Sequence, residues 1–169
     1  MIRTRSDRRL FNLAGVAIVI GLLGYAYFAQ YVQGYVPCPL CWFQRYAMLP
    51  VAAVFLVAGL HAPRGPGARV YGILGALAAL LGASIAGWHI YIQYTPDPPA
   101  CSAPFEILWS NRDSVFAFVE RVFMEAGECA DIDWSFLGLS MPTWVLIWFL
   151  VLGSLALCAN WNKVSDTKI

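Results

Sequence analysis

Charge is scarce in this chain: Asp, Glu, Lys and Arg make up only 12% of its 169 residues, where soluble domains carry about a quarter. So few charges cannot clothe a water-facing surface. There is no basic patch, and the four N-terminal arginines, Arg3, Arg5, Arg8 and Arg9, have a simpler role in membrane topology, so nucleic acid is not an expected partner. No glycine-rich G-x-G-x-x-G follows a strand-like segment, which removes a Rossmann-type site for flavin or nicotinamide. Histidine is limited to His61 and His89; they fall towards opposite ends of the apolar runs described next and cannot ligate one haem.

Apolar residues fill the space that charge leaves. The chain is 60% hydrophobic with a mean hydropathy of +0.63. Spanning about 30 Å of hydrocarbon takes about 20 residues of helix, and four such runs occupy residues 10–30, 42–60, 70–94 and 142–161. The first is longer than the ~7–15 apolar residues of a signal peptide and is read as a retained span. The expected fold is all-α: one membrane domain over residues 1–169, a four-transmembrane-helix bundle.

Basic residues in short flanking segments set orientation. The N-terminus, the 60–70 turn with Arg64 and Arg69, and the tail with Lys163 and Lys168 share one face. The segment 31–41 has no basic residue, and 95–141 sets Arg112 and Arg121 against eight carboxylates. Both termini are therefore expected in the cytoplasm, with two loops in the oxidising space beyond the inner membrane. The second loop is too long for a connector. Within it, 114–126 places Val115, Phe118, Val119, Val122 and Ala126 on one helical face, with Gly127 as a stop, and reads as a short interfacial helix on the outer leaflet, with a helix packed on the bundle's own loops as the alternative.

This topology sorts the five cysteines. Cys38 and Cys41 lie in the first outer loop, Cys101 and Cys129 in the second. Cys158 lies near the opposite face, about 16 residues or roughly 24 Å along the last span; it is read as a small buried thiol packed in the bundle. Four outer thiols in an oxidising space are expected to form two pairs. Cys38-Pro39-Leu40-Cys41 has the spacing of thiol–disulfide redox centres, which leaves Cys101 with Cys129. A bridge across two residues closes almost no loop and gains little as a staple, so the first pair is expected to be redox-active.

The C-x-x-C stands at the outer N-terminus of the second span, where unpaired N–H groups and the helix dipole stabilise a thiolate; Cys41 is the thiol expected to benefit. Arg45 follows one turn deeper on the same face, and an arginine within an apolar helix is a functional candidate, with snorkelling to the interface as the bland alternative. His89 sits at similar depth in the third span and could face the same pocket or simply hydrogen-bond between helices. With aqueous cofactors and haem set aside, a lipid-soluble quinone reached from the bilayer is the expected electron acceptor. No metal ligand set is expected.

These residues carry a resemblance. The chain resembles the disulfide bond formation protein B family, the DsbB-type quinone-dependent oxidases of bacterial inner membranes. The likeness covers the four spans, Cys38-Pro39-Leu40-Cys41 with Arg45, His89-x3-Gln93 leading to a proline-rich Cys101, Gly127-Glu128-Cys129-Ala130, and Trp134-x-Phe136-Leu137-Gly138-Leu139-x-Met141-Pro142-x-Trp144. The resemblance implies periplasmic active-site loops and a relay. A reduced thioredoxin-fold donor, DsbA-like, would attack Cys101 of the Cys101–Cys129 disulfide, Cys129 would engage Cys38, and Cys41 would be freed as a thiolate against ubiquinone or menaquinone. Arg45, with His89 as a second candidate, would stabilise charge on the quinone oxygens. Gln44 is a departure: some relatives carry a charged residue there, and a neutral amide removes one ion-pair partner. Three alternatives stand beside this reading: a metal-binding membrane protein using the four outer thiols, a scaffold with disulfide staples, and a dedicated relative serving one special donor.

Overall fold

The computed structural model of the protein describes residues 5–63, 65–95, 114–124, 129–130, 132 and 134–161. Among these residues four helices are long and apolar enough to cross a membrane: α1 (Arg5–Tyr31), α2 (Pro39–His61), α3 (Pro66–Tyr94) and α5 (Met141–Trp161). Each starts before its apolar run. Pro39, Pro66 and Pro142 fall in first turns, where proline's fixed φ suits the helix and its missing N–H costs nothing, so the helix begins in residues that hydropathy alone leaves out.

Neighbouring helices pair in sequence, and α3 lies along α5 most closely. Small residues permit that approach. A Cβ on Gly75 would come 2.8 Å from Cβ of Ala156, one on Gly72 3.2 Å from the Ala156 carbonyl, and one on Gly82 would run into the Phe149 ring. Apolar helices in lipid gain nothing from exchanging one apolar neighbour for another, so close van der Waals contact and interhelical hydrogen bonds hold them together. The core is Val19, Met48, Val51, Phe55, Ala79, Phe149, Leu152 and Ala156. Leucines such as Leu10, Leu81 and Leu150 point outward, as a lipid-facing surface requires.

Polar contacts close one end of the bundle. Asn12 and Asn160, both fully buried, exchange amide hydrogen bonds of 3.2 and 3.0 Å between α1 and α5. Arg8 donates to the Pro63 carbonyl at 2.6 Å and Arg9 to the Gly59 carbonyl at 3.2 Å, which places the start of α1 on carbonyls at and just beyond the end of α2.

At the opposite end sits the short helix expected in the second loop, α4 (Val115–Met124). Its inner side is docked on the bundle: Phe118 and Val122 are buried with Leu40, Ile92 and Cys129, and Phe43 meets the Phe118 and Phe123 rings at 5.9 and 5.8 Å. Val115, Phe116 and Met124 form the exposed side. The expected apolar face is thus divided, Phe118 and Val122 turned to protein and Val115 outward. A two-stranded hairpin, β1 (Ser135–Phe136) with β2 (Leu139–Ser140), then leads into α5. Its turn sets Leu137 at φ 53° and Gly138 at φ 77°, the pair of left-handed residues that a tight two-residue hairpin turn demands.

Cys158 departs from expectation. It lies on the exposed surface of α5, because the inward stripe of that helix runs through Phe149, Leu152, Ala156 and Ala159. In a helix apolar on every side the sequence gives no facing, and the stripe passes Cys158 by.

Candidate functional site

The site grows from the first turn of α2. Cys38 is its N-cap residue, in extended conformation, and the Cys38 sulfur accepts the N–H of Cys41 at 3.4 Å. The capping sulfur at this helix start is that of Cys38. The two Sγ atoms are 3.0 Å apart, and both residues are thiols here. Cys38 also faces Cys129: the Cys38 and Cys129 sulfurs and the His89 ring nitrogen all lie within 4.8 Å of one another. Hydrogen bonding with Cys129, then with Cys41, and loss of water around the sulfur hold the Cys38 thiol well above its ordinary pKa.

His89 organises this cluster from α3. Its Nδ1 meets Gln44 Nε2 at 3.0 Å, and its Nε2 meets the Cys129 carbonyl at 3.1 Å and Cys38 Sγ at 3.9 Å. Gln44 and His89 are both buried. Donation from Gln44 fixes the tautomer with the proton on Nε2, which then donates to Cys129. One imidazole thus joins α2, α3 and the segment bearing Cys129. The position noted only as a departure, Gln44, is the residue that orients His89.

Arg45 faces the other way. Its guanidinium donates to Gln30 Oε1 and, at 3.1 Å, to the Ala26 carbonyl, both on α1. It also lies 5.0 Å over the Tyr27 ring and 5.2 Å over that of Trp42. Arg45 and His89 both line a cavity of about 480 Å³, walled also by Ala26 and Gln30 of α1, Cys41, Gln44 and Met48 of α2, and Met141, Trp144 and Trp148 of α5. Cys38, Cys41 and Cys129 all open onto it. That volume lies in the range of small-molecule sites, and its apolar lining with a few convergent polar groups is their usual make-up.

Sequence reasoning missed Gln30, a lone amide at the end of an apolar span, and its polarity there was the available signal. It also missed the brace formed where the Ser140 hydroxyl donates to Gln93 Oε1 at 2.8 Å and meets Thr143 Oγ1 at 3.0 Å. Cys101 lies outside the described residues.

The family model described as "Disulfide bond formation protein DsbB" matches residues 8–159. A disulfide bond formation protein B from Azoarcus sp. (strain BH72) is 43% identical over 162 residues, covering 95% of each chain. One from Methylococcus capsulatus (strain Bath) is 42% identical over 164 residues, covering 94% of this chain and 98% of the relative. One from Xanthomonas campestris pv. campestris (strain 8004) is 41% identical over 160 residues, covering 93% and 92%. With a family match across most of its length and four membrane-capable helices, the chain is a multi-pass membrane protein that belongs to the disulfide bond formation protein DsbB family.

Proposed function

We propose that the protein is a thiol oxidase that reoxidises a periplasmic thioredoxin-fold dithiol protein, DsbA-like, and passes the electron pair through two cysteine pairs to a membrane quinone, ubiquinone or menaquinone. The observation that carries this is the placing of the Cys38 sulfur between those of Cys41 and Cys129, at an apolar cavity that also holds Arg45 and His89. Both termini lie in the cytoplasm and both thiol loops in the periplasm. The basic residues Arg8 and Arg9, gathered at the end of the bundle away from the thiols, support that orientation.

Disulfides exchange by attack of a thiolate on a disulfide sulfur. The donor thiolate attacks Cys101 of the Cys101–Cys129 disulfide and releases Cys129. The donor's second thiol then resolves the mixed disulfide and leaves with its own disulfide. The Cys129 thiolate attacks Cys38 of the Cys38–Cys41 disulfide, a transfer their proximity favours, and the released Cys41 carries the electron pair at the cavity wall. Attack by Cys101 on Cys129 restores the outer disulfide and leaves Cys38 and Cys41 as a dithiol. A quinone in the cavity supplies the two-electron, two-proton acceptor that returns this dithiol to a disulfide. Arg45 sets a fixed cation on the wall where negative charge develops, and the apolar lining of Met48, Trp144 and Trp148 excludes water.

The fit rests on the cavity's size, its apolar lining and the presence of both a thiol and a guanidinium on its wall. Quinone reduction by the purified protein, followed optically on addition of a reduced thioredoxin-fold donor, tests the proposal. Donor-dependent turnover lost in both Cys41→Ser and Cys101→Ser is expected. Absence of turnover with every quinone and donor, or full activity in either variant, refutes it.

A further inference from the structure

We infer that the fully reduced chain holds one thiophilic d10 cation, of the zinc class, between Cys38, His89 and Cys129. The three donor atoms come from separate segments, the N-cap of α2, the outer part of α3 and the residue Cys129 beyond α4, yet lie within 4.8 Å of one another. Around tetrahedral zinc, with bonds of about 2.3 Å to sulfur and about 2.0–2.1 Å to nitrogen, neighbouring donors stand about 3.6–3.8 Å apart. Cys38 Sγ and His89 Nε2 are 3.9 Å apart already. Closing the remaining gap asks for less than about 1.2 Å of movement at a thiol. Three protein donors with an open fourth position is an established zinc arrangement.

The surroundings fit a ligating histidine, whose second ring nitrogen almost always binds an outer group that fixes the tautomer. Gln44 occupies that place, 3.0 Å from Nδ1. As an amide it can turn Oε1 to accept from Nδ1–H, which frees the Nε2 lone pair for a cation at the cost of the hydrogen bond to the Cys129 carbonyl. A carboxylate could only accept there; the neutral amide serves both tautomers. His89 and Cys129 are 2% and 1% exposed, so two of the three donors are held away from bulk water.

Binding displaces one proton from each thiol and changes no oxidation state. It also ties down two sulfurs at once. Any disulfide that includes Cys38 or Cys129 removes a thiolate from the set, so the cation is held by the dithiol form and excluded from the oxidised one. A periplasmic metal load would thereby arrest the enzyme in its reduced state, a regulation separate from the choice of electron acceptor.

The test uses the full-length protein in detergent, with neither quinone nor donor. After reduction by a phosphine and removal of excess, Zn²⁺ is titrated against a chromophoric chelator, and Co²⁺ binding is read from thiolate-to-metal charge-transfer absorption. One cation per chain is expected, with none after oxidation to two disulfides. Cys129→Ser and His89→Ala should each weaken binding by about 100-fold or more, and Gln44→Leu, which leaves all three donors, by about 10–100-fold. Helical circular dichroism and elution volume establish that each variant is folded. Absence of stoichiometric binding, equal binding by the oxidised chain, or undiminished affinity in folded Cys129→Ser and His89→Ala would overturn the inference. The readout is metal affinity, so it is distinguishable from failure of the oxidase reading.

Discussion

Removing the His89 imidazole should make the Cys38–Cys129 disulfide measurably harder to form. In the structure His89 Nε2 holds the Cys129 carbonyl at 3.1 Å while Gln44 steadies the ring from the other side at 3.0 Å. His89→Ala leaves that carbonyl without this partner in a buried place, at a cost of about 1–3 kcal/mol. A factor of ten corresponds to about 1.4 kcal/mol. If half of the cost falls on the geometry that brings the sulfurs together, the effective concentration of one thiol at the other drops about two- to tenfold. The assay places Cys41, Cys101 and Cys158 as serine, so that Cys38 and Cys129 are the remaining thiols, and equilibrates the protein with glutathione buffers containing a chelator. Alkylation and mass analysis give the oxidised fraction. His89→Gln, whose side-chain N–H can still reach the carbonyl, should recover most of the loss. An effective concentration that is unchanged or higher in His89→Ala would refute the idea that this imidazole positions Cys129.

Other perturbations test the rest of the site and its frame. Arg45→Met should lower kcat/KM for quinone about 10²–10³-fold, the loss typical of a preorganised charge-stabilising group, with Arg45→Lys intermediate because the forked geometry is lost; steady-state kinetics over a quinone series reads both. Gly82→Leu drives a side chain into the Phe149 ring and should cost about 1–3 kcal/mol or more of stability, seen as a lower thermal midpoint in detergent. Asn12→Leu or Asn160→Leu leaves the other residue's buried amide oxygen without its partner and should cost about 1–3 kcal/mol alone, whereas the double variant should cost clearly less than the sum; chemical denaturation of the four proteins gives the coupling.

Much of this architecture was legible because lipid imposes simple rules. A span must be long, apolar and helical, so the four helices follow from hydropathy to within a few residues. The C-x-x-C and Arg45 stood out because each is unusual for its place. What stayed hidden depends on facing. α5 is apolar on every side, so nothing in its sequence says that Phe149 turns inward and Cys158 outward. Gln44 drew notice only for the charge it lacks, since its value arises from a histidine 45 residues away. The hairpin was invisible because its turn is Leu137-Gly138, without the Asn-Gly or Asp-Gly signal of such turns.

Arg45 gives the cavity wall a second character. The guanidinium reaches from α2 across to α1, gripping Gln30 and Ala26, while the polar fastenings at the other end of α1, Asn12 to Asn160 of α5 and Arg8 and Arg9 to carbonyls at the end of α2, begin 18 residues from Gln30, roughly 27 Å at helical rise. Between these ends α1 packs on α2, with Gly15 against the Phe55 ring, and Arg45 is the latch at its outer end. A guest whose oxygen draws the guanidinium toward itself takes it from α1, so the act of gripping the guest unfastens the wall beside it. The same cation that favours reaction would then also set the ease of departure, and Arg45→Met should show faster hydrogen exchange at residues 26–31 even with nothing bound.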